Sequence, residues 1–236
     1  MSAMTGVMAA GAAQRVSYAP RAGASITVVY SVKELYLTVQ GEGAQAGLPA
    51  IFLRFAGCNL WSGLERDRAS AVCSFCDTDF IGTDGPNGGK FKTPESLVEA
   101  AAKHWPEKGQ KWVVCTGGEP LLQLDTALID AFHGAGFKVA VETNGTVKAP
   151  DGLDWICVSP KADAPIVQRA GHELKLVYPQ AENTPDEFID LDFGVFSLQP
   201  LDDKNKAAHE QAAFNYCLKD PRWRLSVQTH KYLGVP

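Results

Sequence analysis

From Ile26 onward, apolar positions fall in short runs separated by turn residues, with no repeat and no low-complexity linker. Ile51-Phe52-Leu53-Arg54-Phe55 has the length and composition of a strand and delivers its end to Gly57 and Cys58. Thr93-Pro94-Glu95 opens a helix: Thr93 can cap, Pro94 fits the first turn, and Leu97, Val98, Ala101 and Ala102 recur on one face. Trp112-Val113-Val114-Cys115 reads as a buried strand running into Thr116-Gly117-Gly118. A helix over 124–132 follows, stopped by Gly134 and Gly136, and 138–142 is a strand ending at Thr143-Asn144-Gly145. Further strands are expected at 155–158, 173–177 and 194–198.

Strands alternating with helices or short connections predict a parallel α/β sheet whose chemistry lies at the strands' C-terminal ends. Few helical patterns interrupt the second half, so the expected fold is an abbreviated, partial parallel (β/α) barrel with a six-stranded core. A chain of 236 residues, 45% of them hydrophobic, suits one domain over 26–236. Residues 1–25 are rich in Ala and Gly and carry no acid. They faintly resemble an organelle transit peptide, but a flexible leader is the plainer expectation. No apolar run is long enough to span a bilayer.

A formal charge of −5 supplies no basic field for a nucleic-acid backbone, so the expected ligand is small. The six cysteines divide into a group, Cys58, Cys73 and Cys76, and the scattered Cys115, Cys157 and Cys217. That distribution reads as a metal site plus small core residues in a reducing cytoplasm rather than a disulfide framework. Three thiolates can hold three irons of a cubane cluster and leave the fourth open. Zinc would need a fourth ligand from His104, Cys115 or Cys157, and none stands at knuckle spacing. The five histidines show no paired spacing and are expected at the surface or in packing.

Cys73-Ser74-Phe75-Cys76 together with Thr116-Gly117-Gly118-Glu119-Pro120 resembles the cysteine loop and methionine-binding segment of the radical S-adenosylmethionine enzymes. That superfamily's usual loop has three residues between its first two cysteines, whereas here 59–72 intervene as an insertion. Glycine lets backbone approach a ligand, and Glu119 could take a charge-assisted hydrogen bond from the cofactor's ammonium. The stretch Glu34-Leu35-Tyr36-Leu37-Thr38-Val39-Gln40-Gly41-Glu42-Gly43, the strand carrying Arg54, and Cys76-Asp77-Thr78 resemble more narrowly the 7-carboxy-7-deazaguanine synthases of queuosine and deazapurine biosynthesis.

The resemblance implies a [4Fe-4S] cluster on Cys58, Cys73 and Cys76, S-adenosylmethionine, and Mg²⁺ on Thr78. It implies 6-carboxy-5,6,7,8-tetrahydropterin as substrate, its carboxylate on Arg54 and its ring edge on Val39, Gln40, Gly41 and Glu42. Thr116 would touch substrate, while Phe75, Cys76, Asp77, Gly118 and Glu119 would hold the cofactor. Its nucleoside half would lie against Ser159, Pro160, Lys161, Gln199, Pro200, Leu201 and Asp202, with 143–145 as a third group. The tail would return so that the Pro236 carboxylate meets substrate N–H groups. A homodimer and an electron donor such as flavodoxin or ferredoxin are further implications, with neither nucleic acid nor membrane as partner. An activase that generates a glycyl radical on a partner protein shares part of the pattern, and a zinc-binding module without catalysis is the remaining alternative.

Overall fold

The computed structural model describes residues 29–162 and 164–236. The expected leader, 1–25, lies outside the described residues. In chain order the elements are β1 (Tyr30–Val39), β2 (Pro49–Phe55), β3 (Gly89–Phe91), α1 (Pro94–Ala102), β4 (Lys111–Gly117), α2 (Thr126–Gly134), β5 (Phe137–Thr143), β6 (Trp155–Val158), β7 (Ala170–Tyr178), β8 (Asp192–Pro200), α3 (Lys206–Lys219), β9 (Trp223–Leu225) and α4 (Thr229–Leu233). All nine strands form one sheet in the order β3-β1-β2-β4-β5-β6-β7-β8-β9. From β2 to β9 every pairing is parallel, while β1 runs antiparallel to both β2 and β3. The expected six-stranded parallel core is present as β2 and β4 to β8, and β1, β3 and β9 extend it on both flanks.

Helix boundaries follow local chemistry. Thr93 caps α1 with Ser96 in a reciprocal capping box and Pro94 opens its first turn, while the Asp125 side chain accepts the Leu128 amide at the start of α2. Both helices bury one stripe, Leu97, Val98 and Ala101 from α1 and Leu128, Ile129 and Phe132 from α2, against Leu53, Val113, Cys115, Val139 and Val141. A second core packs Leu174, Leu176, Leu198 and Trp223 beneath Ala213 of α3. Helix α3 escapes a sequence reading because it buries little beyond Ala213. Strand β9 escapes it by having only three residues.

Alternation along the strands puts the opposite residues on the other face. There, Ala50, Val114 and Ala140 pack with Phe52, Trp112 and Trp155 as a small apolar layer. One register step further along, Arg54 pairs with Thr116 and Glu142 with Cys157, while Lys175 pairs with Ser197 and Val177 with Gln199. The concave face therefore turns polar at the strands' C-terminal ends.

The segment after β1 straps the first half of the sheet to the second. The Ala44 amide donates to both oxygens of the buried Glu173 at 3.0 Å, and the Gly43 amide donates to Ser226 Oγ at 2.8 Å. The Thr229 amide reaches the Gly41 carbonyl at 2.8 Å. Close approach dictates both glycines: a Cβ at Gly41 would lie 2.0 Å from His230 Nδ1, and one at Gly43, where φ is +65°, would lie 2.6 Å from Glu173 Oε1.

Replacing Glu173 by Ala would orphan the Ala44 amide and the Ser197 hydroxyl that donates to it. We expect Glu173→Ala to lose roughly 2–4 kcal/mol in urea unfolding of the apoprotein. Gly134→Ala, where an added methyl meets open space at the end of α2, should be neutral or stabilising by up to about 1 kcal/mol.

Candidate active site

Two cavities open at the polar end of the concave face and share a wall. The first is lined by all three grouped cysteines together with Phe75, Gly117, Gly118, Ser159, Lys161 and the 199–202 turn. The second is lined by Val39, Gln40, Gly41, Arg54, Tyr36, His230 and Pro236. Glu42, Asp77, Thr78, Thr116, Glu142 and Gln228 face both. Val39, Gln40, Gly41, Arg54 and Pro236 thus line one chamber, the three cysteines, Phe75, Gly118, Ser159, Lys161 and 199–202 line the other, and Glu42, Asp77, Thr78 and Thr116 stand between.

In the first chamber Cys58, Cys73 and Cys76 are free thiols, whereas Cys115 and Cys157 are buried within β4 and β6 and Cys217 lies on α3. A hydrogen bond from Cys73 draws the Cys76 thiol down to about 6 against the effect of burial, with the Thr78 amide and Lys161 assisting. Burial raises Cys58, although the Leu60 amide donates to its sulfur. Among the described residues no three His, Cys, Asp or Glu side chains converge on a single-ion site. Three thiols spread around one chamber wall, two of them on a four-residue turn, match the donor set of a cubane cluster. Beside them, the Lys161 ammonium stands 5.8 Å from the Phe75 ring centroid and donates to Ser159 Oγ at 2.7 Å.

Two of the residues expected to hold the cofactor do not line the cavities. Glu119 does not face either chamber. Its carboxylate is fully buried and accepts from the Leu121 amide (2.9 Å), Thr143 Oγ1 (2.8 Å) and the Asn144 amide (2.8 Å), and burial pushes its carboxyl upward in spite of these donors. Through these bonds it ties the loop after β4 to the loop after β5. Asn144 Nδ2 continues the link to Asn59 Oδ1, next to Cys58, at 3.0 Å. Pro160 is likewise buried away from the chamber walls, between Ser159 and Lys161.

The glycine pair is also dictated by packing. A Cβ on Gly117 would lie 2.3 Å from the Phe55 carbonyl, and one on Gly118 would lie 2.2 Å from the Gly57 carbonyl. Their missing side chains let the ends of β2 and β4 close together beneath Cys58.

A charged network that the sequence reading passed over crosses the shared wall. Lys175 Nζ, almost fully buried, donates to Glu42 Oε2 at 2.6 Å and to Glu142 Oε2 at 3.1 Å. Gln40 Nε2 donates to Glu142 Oε1 at 2.5 Å, and Gln228 Nε2 to Glu42 Oε1 at 2.8 Å. Burial opposes charge on both partners. Even so, Lys175 and Gln228 hold the Glu42 carboxyl down to about 2, and Glu142 and Glu42 keep Lys175 well above its ordinary value. The signal was present in Glu173-Leu174-Lys175-Leu176-Val177, where charge alternates with apolar residues inside a buried strand.

Arg54 lies on the wall of the second chamber, its Nε donating to Glu34 Oε1 at 2.7 Å. Both the carboxylate and burial restrict its rotamers. The tail borders this chamber: Thr38 Oγ1 donates to the Pro236 carbonyl at 2.7 Å, and Lys231 pairs with Asp77 and Asp202. His230, expected at the surface or in packing, is on the chamber wall.

A partial parallel barrel with a three-cysteine chamber beyond its strand ends defines the radical S-adenosylmethionine class, and residues 68–175 match the Radical SAM superfamily profile. Over 210 residues, 89% of this chain and the whole of the relative, the sequence is 63% identical to the 7-carboxy-7-deazaguanine synthase of Caulobacter vibrioides. It is 60% identical over the same span to that of Bordetella pertussis. The crystal structure of QueE from Escherichia coli superposes with a TM-score of 0.66 at 25% identity, covering 86% of this chain and 95% of that one. The chain belongs to the 7-carboxy-7-deazaguanine synthase family.

Removing Lys175 would leave two buried carboxylates facing each other. Lys175→Met should cost about 3–5 kcal/mol at pH 7 in apoprotein unfolding. Because the folded-state pKa of Glu42 is depressed, its stabilisation is full above about 4.5 and disappears as pH falls toward about 2. The gap between wild type and variant should therefore narrow steadily from pH 5 to pH 3. A gap that stays constant over that range would remove the charge network as its cause.

Proposed function

We propose that this protein converts 6-carboxy-5,6,7,8-tetrahydropterin to 7-carboxy-7-deazaguanine with loss of ammonia. The observation that carries this reading is the second chamber, where Arg54, Gln40, Glu42 and the Pro236 end face a wall shared with the three-cysteine chamber. A guanidinium suits a carboxylate, and amide and carboxylate groups suit the donor and acceptor edge of a pterin. A [4Fe-4S] cluster held by Cys58, Cys73 and Cys76, with S-adenosylmethionine bound beside it, would supply the one-electron radical chemistry that starts the ring contraction.

The chain's own residues perform the positioning. Cys58, Cys73 and Cys76 would ligate three irons, and Ser159, Lys161, Gln199 and Asp202 face where the nucleoside would lie. Thr78 presents a hard oxygen to both chambers, which suits Mg²⁺ bound against substrate oxygens. Glu42, whose carboxyl Lys175 holds low, and Glu142 beside it can accept from substrate N–H groups on one side of the wall. The tail lies at the rim of the substrate chamber, with Pro236 held by Thr38. An activase would need an open groove for a peptide loop, and the Thr38 and Gly41 contacts to the tail argue against one. The reading also requires an external one-electron donor of the flavodoxin or ferredoxin type, and it places the enzyme as a homodimer in the reducing cytoplasm.

The test is anaerobic incubation of reconstituted enzyme with S-adenosylmethionine, reductant and the carboxytetrahydropterin, read by product mass. The mass of 7-carboxy-7-deazaguanine with stoichiometric ammonia is the expected result. Cofactor cleavage without that product would refute the substrate.

Arg54→Ala should lower kcat/KM by roughly 30- to 1000-fold, equivalent to about 2–4 kcal/mol, with cluster content unchanged. Arg54→Lys should recover little of it, since a point charge cannot reproduce the planar fork. Thr78→Val should abolish the dependence of rate on added Mg²⁺, as judged by titration after chelation. Equal Mg²⁺ response in both proteins would exclude Thr78 as the ligand.

A further inference from the structure

The insertion between Cys58 and Cys73 folds back onto the loop that it enlarges. Its single-turn helical segment, Glu65–Ser70, presents Arg68, whose Nη1 donates to the carbonyls of Ser74 and Cys76 at 2.9 Å each. Both oxygens of Glu65 accept from Arg68 Nε, at 2.9 and 2.8 Å. The guanidinium carbon stands 4.2 Å from the centroid of Trp61, and Trp61 is itself buried edge-on against Phe80 at 5.7 Å. The guanidinium is thus fixed by three features of the insertion: its own backbone segment, a carboxylate and an aromatic platform.

Both acceptors belong to the four-residue cysteine turn. Drawing the Ser74 and Cys76 carbonyls outward toward Arg68 leaves the Cys73 and Cys76 sulfurs on the chamber side, where the Thr78 amide also donates to Cys76. A loop of three residues between the first two cysteines has no length for such a brace; the fourteen residues of 59–72 have it.

We propose that Arg68 is the positioning residue of the cluster loop, a clamp built into the insertion that holds the Cys73–Cys76 turn in its ligating shape. The proposal rests on the functional reading for the identity of the bound group, a [4Fe-4S] cluster. It predicts two separable effects. The fork geometry governs how long the iron is retained, because two loop carbonyls are released together when it is lost. The charge governs the reduction potential, because removing the guanidinium leaves the Glu65 carboxylate unpaired beside the cysteine loop, where it disfavours an added electron.

Full-length wild type, Arg68→Met, Arg68→Lys and Trp61→Leu would be reconstituted anaerobically with iron and sulfide. Apoprotein circular dichroism would report folding. Iron release to a chelator and the spectroscopically titrated reduction potential would report the cluster. Failure of wild type itself to acquire cubane absorption and spin-resonance signals would overturn the functional reading, and with it the ligand on which this clamp acts.

Given a normal wild type, Arg68→Met should release iron at least tenfold faster and show a more negative potential. Arg68→Lys should restore the potential but not the retention, and Trp61→Leu, which removes only the platform, should fall between. Wild-type iron release in Arg68→Met would overturn the proposal, as would full retention in Arg68→Lys. Should Arg68→Met fail to fold, wild-type retention in Trp61→Leu would decide against the clamp.

Discussion

The ammonium of Lys175, buried between Glu42 and Glu142, is the interaction around which the active end of the barrel is organised. It joins β7, β5 and the strap after β1, and through Gln228 it reaches the C-terminal segment. An unpaired charge at that depth would cost several kcal/mol, so none of these elements can move away independently. Two carboxylates around one ammonium also leave a net negative charge facing the chambers. On the proposed function, that charge would suit N–H donors of a pterin on one side of the wall and a cationic sulfonium on the other.

The glycines and Glu119 show the same economy from another direction. Gly117 and Gly118 let β2 and β4 converge so that Cys58 lies against Gly118, and Gly41 and Gly43 let the strap lie against His230 and Glu173. Glu119 spends its hydrogen-bonding capacity on Leu121, Thr143 and Asn144, which fixes the loop after β4 against that after β5. In this motif the same residues also act as joints that hold the neighbouring strand ends and loops in place.

The strand ends were legible because parallel buried strands are apolar runs that stop at Gly, Thr or Pro, and the chemistry of this architecture gathers at those stops. Cys58, Thr78, Arg54, Ser159 and Gln199 could be assigned to a mouth from that rule and the family resemblance together. The division into two chambers could not, because it depends on which strand faces pair across the interior. Lys175 and Glu142 were overlooked for a related reason: they lie on strands separated by β6, and only the sheet order brings their side chains together. Strand β1 was obscured by the irregularity between Val32 and Glu34, and the path of 59–72 is set by Trp61 and Arg68 meeting residues beyond the insertion.

The central claim is that one wall, carrying Thr78, Thr116, Glu42 and Glu142, separates a cofactor chamber from a substrate chamber. An anaerobic crystal structure of the reconstituted enzyme with S-adenosylmethionine and the carboxytetrahydropterin tests it most directly. The account predicts the adenosyl group against Ser159, Lys161 and Gln199, and the pterin carboxylate on Arg54 with the ring edge toward Gln40, Glu42 and the Pro236 terminus. A pterin bound outside the chamber of Arg54, or both ligands on the same side of that wall, would contradict it.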